Sequence, residues 1–370
     1  MKYNKLPHGN EMISEIGLGA GGLFNCDEKE IKEIYETAID AGITFFDFAG
    51  SSDTCFKPFG ETLKEKHCRD KVYFQLHFGA VYKNHKYGWS RNIKEIKNQI
   101  EAALKDMDTD YIDFGFLHCI DDEADYNEVM NDGIFAYLKE LKDKGIVHHM
   151  GFSSHTPEIA EKLLDTGLMD IFMFSINPAY DFESGDEYGV GNYKDRRHLY
   201  EKSIKLGVPI TVMKPFFGGQ LLDAETSPYK KALSETQCIA YALANPAVIT
   251  VLPGCSSKGE LQRILKYETA TDEEKDYSII SSFNKVATDG RCTYCGHCRP
   301  CPKKIDIGLV NKYYDLALAG DPLAFGHYDK LEHKADECIS CGHCNNRCPF
   351  HVNQKERMHQ IAEYFAKTKK

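Results

Sequence analysis

The sequence predicts an α/β protein, a (β/α)8 TIM barrel followed by a small α-helical, cysteine-rich domain. Three observations carry this. Between residues 13 and 255, eight short runs of β-branched and aromatic residues alternate with amphipathic stretches. Eight of the fourteen cysteines crowd into two runs after residue 290. The chain of 370 residues exceeds a barrel of roughly 250 residues by about the length of such a module. We therefore divide it into a barrel over 1–285 and a module over 286–370.

The expected strands are 13–18, 44–49, 72–79, 112–119, 148–153, 171–176, 210–214 and 249–253. Helix-like segments lie between them at 28–41, 93–107 and 135–144. In the first of these, Ile31, Ile34, Tyr35 and Ala38 recur at helical spacing. Strand and helix in alternation imply parallel pairing, and eight repeats imply closure. An open doubly wound sheet is the competing architecture, but no Gly-x-Gly-x-x-Gly opens the first helix. Gly17, Gly19, Gly21 and Gly22 cluster there, and a tight turn at a strand end explains them as well as a ligand does. Residues 180–197, rich in Gly, Asp and Tyr, read as a loop over the barrel mouth, facing substrate or the module. In the module, Ile307, Val310, Tyr314 and Ala317 predict a helix over 306–318, and a second is expected over 354–365.

The formal net charge of −11 argues against nucleic acid as a partner, because binding phosphates needs a basic face. No apolar stretch approaches the ~20 residues of a membrane span, and no signal-peptide core is evident. No membrane is expected as a partner, and the expected address is cytoplasmic. In that reducing compartment, clustered cysteines point to metal rather than disulfides. Six cysteines (Cys26, Cys55, Cys68, Cys119, Cys238, Cys255) are scattered singly, and of these Cys55 and Cys119 read as small apolar residues.

The first run is Cys292-x-x-Cys295-x-x-Cys298-x-x-Cys301-Pro302, and the second is Cys338-x-x-Cys341-x-x-Cys344-x-x-x-Cys348-Pro349. The second has bacterial ferredoxin spacing; the first is one residue shorter before its last cysteine. Three thiolates spaced this way wrap three irons of a cube, and in two-cluster ferredoxins the fourth cysteine of each run serves the other cluster. The expectation is two [4Fe–4S] clusters, one held by Cys292, Cys295, Cys298 and Cys348. The other is held by Cys338, Cys341, Cys344 and Cys301. Structural zinc is the alternative, but its cysteines come as separated pairs rather than triplets closed by Cys-Pro.

The segments Gly42-Ile-Thr-Phe-Phe-Asp47-Phe-Ala, Glu101 through Asp113 to His118, Gly151-Phe-Ser-Ser and Leu252-Pro-Gly254 occur in an order that resembles the aldo-keto reductase family. The whole chain resembles the family's subgroup with a C-terminal two-cluster ferredoxin-like domain. The resemblance implies a (β/α)8 barrel that reduces carbonyls with a nicotinamide cofactor through an Asp, Tyr, Lys and His tetrad. Asp47 and His118 match the Asp and His. The Tyr position falls on Ser52 and the Lys position on His77, so the tetrad is incomplete. The catalytic candidates are therefore Asp47, His77 and His118, at the ends of strands 2, 3 and 4, where barrel sites are built. A carboxylate beside His77 favours its imidazolium, which can hand a proton to a developing alkoxide.

The resemblance also marks cofactor candidates. Ser153 and Ser154 stand where the family holds the carboxamide, and Lys214 ends the seventh strand. Gly254, Ser256 and Ser257 form a phosphate-type loop after the eighth, although a helix cap explains these serines equally. Glu260 replaces the family's basic residue; a carboxylate repels a 2′-phosphate and accepts from a 2′-hydroxyl, favouring NAD(H) over NADP(H). Iron–sulfur clusters pass single electrons and nicotinamides pass two, so a flavin is a further candidate as go-between. The function expected is an iron–sulfur oxidoreductase acting on a small organic substrate in the barrel mouth, with a redox partner protein and an anaerobic host. Two alternatives stay open: an NAD-linked reductase with structural clusters, and an electron-transfer or docking protein with an inert barrel.

Overall fold

The computed structural model describes residues 1–50, 52–182, 188–282, 290, 292–319 and 324–367. The expected boundary at 285/286 lies outside these residues. Among them, eight parallel strands close a barrel: β1 (Leu18–Gly19), β2 (Phe45–Phe48), β3 (Tyr73–Phe78), β4 (Ile112–Leu117), β5 (Val147–Ser153), β6 (Ile171–Ser175), β7 (Ile210–Met213) and β8 (Val248–Val251). The first strand is shorter than the sequence predicts. The chain around it bonds the eighth, with Gly17 N donating to Val251 O at 2.8 Å and Gly19 N to Pro253 O at 3.1 Å, which shuts the barrel. Ile13 and Ser14, expected in that strand, instead join Met12 in pairing antiparallel with Tyr3–Lys5. This hairpin carries Leu6 and Ile13 into the interior packing.

Strand alternation creates two apolar layers. Phe45, Phe114, Phe116, Ile171, Met173 and Ile249 point into the barrel. Phe46, Phe48, Phe74, Leu76 and Phe78 point out and pack under the helices. Helix Glu28–Asp40 opens with a capping box between Asp27 and Glu30 and buries the four predicted residues Ile31, Ile34, Tyr35 and Ala38. Tyr35, Phe46, Phe48, Phe59 and Phe74 form an edge-to-face cluster, with Phe48 and Phe59 centroids 4.8 Å apart. Each such ring adds roughly 1.5–3 kcal/mol by burial.

Two further findings differ from the sequence reading. A hairpin, Ala80–Lys83 with Lys86–Trp89, extends the sheet beyond β3. The segment 180–197 is helical at both ends, in Pro178–Phe182 and in Tyr193–Leu206; its residues 183–187 lie outside the described ones. The second helix opens with a capping box of Asn192 and Asp195, so the polar residues read as a loop include its cap.

The module is helical, with Ile307–Ala319 and Gln354–Lys367 as its long helices. Its core of Ile305, Ile307, Val310, Met358, Ile361 and Phe365 is its own. Ile204, on the barrel helix Tyr193–Leu206, packs against both cores. No helix among the described residues is long and apolar enough to cross a membrane.

Candidate active site and cluster sites

At the C-terminal ends of the strands lies a cavity of about 760 Å³. Asp47 on β2 is the register partner of Gln75 on β3, and His77, two residues further, shares Gln75's inward face. His118 follows β4, its N–H bonded to Phe78 O at 3.2 Å. These side chains join at the cavity floor. Thr211 Oγ1 donates to Gln75 Oε1 at 3.3 Å, and Gln75 Nε2 donates to Asp47 Oδ1 at 2.8 Å. His77 Nε2 lies 3.0 Å from the same Asp47 oxygen, and His77 Nδ1 lies 3.0 Å from His118 Nδ1. His118 Nε2 meets the hydroxyl of Tyr87, from the hairpin, at 2.6 Å. Burial, then His77, Arg91 and His155, holds the His118 imidazole well below its usual range, so it stays neutral.

The structure thus brings Asp47, His77 and His118 together. It adds Gln75 and Tyr87, which the sequence reading did not single out. Ser52 is turned away: its side chain accepts from Thr54 N at 3.2 Å and caps the turn. Arg91 anchors the rim, donating to His118 O and Cys119 O, each at 2.7 Å, while Cys119 holds a left-handed backbone at φ 45°. Burial and the Asp121 charge push the Cys119 thiol up to about 12, leaving it protonated. Cys119, Asp121 and His155 gather on this rim, but His155 N, His155 Nδ1 and Ser154 Oγ already occupy the Asp121 oxygens.

The cofactor candidates spread along one wall. Ser153 Oγ accepts from Cys119 N at 2.8 Å, and Ser154 is tied to Asp121 and Thr156. Lys214 places its ammonium 3.6 Å from the Tyr188 ring centroid and lines the cavity with Gly254, Ser256 and Glu260. Glu260 accepts from Ser256 N and Ser256 Oγ at 2.7 and 2.9 Å. Ser257 caps helix Lys258–Leu265 through Glu260 N. The cavity's volume lies in the range of small-molecule and cofactor sites, but along this wall both serine hydroxyls are already bonded and Glu260 presents a carboxylate. At the glycine cluster, a Cβ on Gly22 would stand 2.5 Å from Cys255 O, so close approach of the first and last loops explains that residue.

The cysteines form two sets. Cys301, Cys338, Cys341 and Cys344 line a single pocket, in which Cys341 is exposed. Cys298 feels the charges of Cys292, Cys295 and Cys348, which places those four sulfurs in one neighbourhood. The two runs wind alike. Tyr294 and Gly296 have φ of 61° and 76°, and their counterparts Ser340 and Gly342 have 56° and 75°. Such alternations turn successive N–H groups inward, a concavity that suits the negative sulfurs of a cluster. The donor sets therefore fit two four-iron clusters.

The first set abuts the barrel. Cys292, Cys295 and Cys348 pack on the barrel's core, and Tyr277 donates its hydroxyl to Thr293 O. Between barrel and module is a hollow of about 110 Å³ lined by Asp181, Tyr200, Tyr241, Tyr277 and Cys292. Asp181 accepts from Arg196 Nε, Tyr200 and Tyr241 at 2.7, 2.7 and 2.6 Å.

Residues 15–237 match the model of the aldo/keto reductase family. The chain belongs to that family. Residues 291–353 match the 4Fe-4S dicluster domain, so this is an aldo/keto reductase-type oxidoreductase with a dicluster domain after its barrel. It is 30% identical over 209 residues to the aldo-keto reductase YhdN of Bacillus subtilis (strain 168), a match covering 53% of this chain and 60% of that protein. It is 24% identical over 300 residues to the uncharacterized oxidoreductase YqkF of the same organism, covering 74% and 94%. Among solved structures, the aldo-keto reductase AKR11C1 from Bacillus halodurans (holo form) superposes with a TM-score of 0.60 at 21% identity, covering 76% of this chain and 96% of that one. This last likeness concerns the fold alone.

Proposed function

We propose that this protein is an iron–sulfur oxidoreductase that acts on a small carbonyl or hydroxyl compound in the barrel mouth, with electrons routed through two [4Fe–4S] clusters. The observation that carries this is the buried chain Asp47–His77–His118 at the floor of a cavity large enough for substrate, in one body with two four-cysteine sets. Cys292, Cys295, Cys298 and Cys348 hold the cluster beside the barrel. Cys301, Cys338, Cys341 and Cys344 hold the outer one, whose exposed Cys341 faces a redox partner protein. When bound, the clusters supply one-electron transfer. Asp47 orients His77, His77 orients His118, and the substrate oxygen lies at the end of the cavity where His118 Nε2 meets the Tyr87 hydroxyl. The family's Tyr and Lys positions are taken by Ser52 and His77, so proton transfer runs through imidazole. Glu260 favours NAD(H) over NADP(H) where a dinucleotide occupies the cleft; a flavin is the other candidate for pairing single electrons.

The test is an anaerobic optical titration of the iron-loaded protein with NADH, then dithionite. Iron should measure about eight atoms per chain. Bleaching of the broad cluster absorption by NADH establishes a nicotinamide site in contact with the clusters. Bleaching by dithionite alone removes the nicotinamide from the reading. An iron content near zero after anaerobic reconstitution overturns the reading altogether.

A further inference from the structure

We propose that Tyr87 exchanges a proton with the substrate oxygen, and that Tyr87, His118, His77 and Asp47 form one proton relay. This rests on the barrel mouth being a carbonyl or hydroxyl site, as above. The phenol arrives from an element that the closed barrel does not need. The hairpin Ala80–Lys83/Lys86–Trp89 turns on two residues, Asn84 and His85, both left-handed at φ 54° and 61°, a tight turn matched to strand twist. Tyr82, the cross-strand partner of Tyr87, packs edge-on to it at 6.1 Å and accepts from Gly50 N at 3.3 Å. His85 Nδ1 lies 2.8 Å from Asp53 Oδ1. The tyrosine is therefore held at a fixed depth in the cavity it lines.

The contacts dictate where the protons sit. Asp47 only accepts, so His77 Nε2 carries a hydrogen. With neutral rings, His77 Nδ1 must accept from His118 Nδ1, and His118 Nε2 must accept from Tyr87. In this state every donor points inward, and the Tyr87 oxygen can take a proton from a substrate hydroxyl. One added proton, placed on His77 against the Asp47 carboxylate, reverses the chain. His77 Nδ1 then donates to His118 Nδ1, His118 Nε2 donates to the Tyr87 oxygen, and the phenol hydrogen is free for the substrate. Delivery moves one proton from Tyr87 to the substrate oxygen, one from His118 Nε2 to Tyr87 and one from His77 Nδ1 to His118 Nδ1. The net result is one proton from His77 to substrate, with no electron passing along the relay. Arg91, Cys119 and Tyr188 face Tyr87, and Arg91 and His155 face His118.

The experiment uses full-length, cluster-loaded protein and its Tyr87→Phe variant, which keeps the ring and removes the hydroxyl. Imidazole ¹⁵N resonances, recorded across neutral pH, are expected to shift at both His118 and His77 in the variant. Turnover of glyceraldehyde and methylglyoxal, with NADH or reduced methyl viologen as donor, is expected to fall about 100-fold in kcat with KM little changed. Unshifted histidine resonances, or retained turnover, would overturn the relay. A wild type that turns over neither aldehyde with either donor, while its histidines still respond to the substitution, sinks the carbonyl reading and not the relay.

Discussion

Asp47 Oδ1 is shared by Gln75 and His77, two buried side chains with no solvent to fall back on. An Asp47→Asn variant removes the carboxylate oxygen that orients His77 Nε2. Turnover is expected to fall at least about 100-fold, with urea unfolding shifted by only about 1–3 kcal/mol; steady-state kinetics and denaturant melts separate the two effects. Asp47, His77 and His118 were legible because each falls on a tetrad position of the family it resembles, at the end of a strong strand pattern. Gln75 was equally legible in principle, since period-two alternation puts it on His77's face. Tyr87 was not. Its partner is 31 positions away, and its depth is set by a hairpin turn that lies in no predicted strand. Asn84-His85 between Tyr82 and Tyr87 was the available cue. The serines after β8 show the reverse case: their type matches a phosphate loop, but the hydroxyls are spent on Glu260 and its backbone N–H.

At the scale of elements, the barrel's base is fastened by charge. Glu11, in the N-terminal hairpin, and Asp170, before β6, flank His149 on β5, with distances of 3.0 and 3.6 Å. Hydrogen bonds and charges from the two carboxylates outweigh the burial of His149 and raise its pKa, while Asp170 is lowered, by His149 and then Lys142 against its own burial. For the histidine, the folded value exceeds the unfolded one, so its contribution is full below about pH 6.5 and is lost as pH rises through the raised value. For Asp170 the sign is opposite: its contribution is present above about pH 3.9 and lost as pH falls further. Urea midpoints against pH should therefore decline on the alkaline side in the wild type, and this decline should flatten in His149→Phe. Helix Tyr193–Leu206 supplies a second test. Arg196 and Asp181 form a fully buried pair, so Arg196→Leu leaves a buried carboxylate without its cation and should cost about 3–5 kcal/mol, read as a lower melting temperature. The strands were readable because each is a dense apolar run. The first strand was drawn too long because Ile13 and Ser14 continue the same pattern yet pair with Tyr3 and Asn4 instead.

Across the whole molecule, the two cysteine sets differ in what surrounds them. In the first, Cys292, Cys295 and Cys348 lie on the barrel's core and Cys298 in the module's; in the second, Cys301, Cys338 and Cys344 lie on the module's own. A Cys348→Ala substitution is expected to lower iron from about eight to about four atoms per chain and to destabilise the barrel as well. Cys341→Ala, at the exposed outer site, is expected to cost a similar amount of iron and leave barrel melting nearly unchanged. Iron and sulfide analysis with calorimetry reads both. The existence of the module was plain from cysteine spacing alone. Its seat against Tyr277 and Tyr241 was not, because those tyrosines belong to barrel segments that lie outside both cysteine runs.

The crossed assignment of Cys301 and Cys348 has a consequence for biosynthesis. Neither four-sulfur set is complete within one run, so while the chain is still being translated the site beside the barrel lacks its fourth thiolate until Cys348 has emerged. Filling the two sets with iron then becomes a late, paired event rather than two sequential ones, because each set draws on both runs.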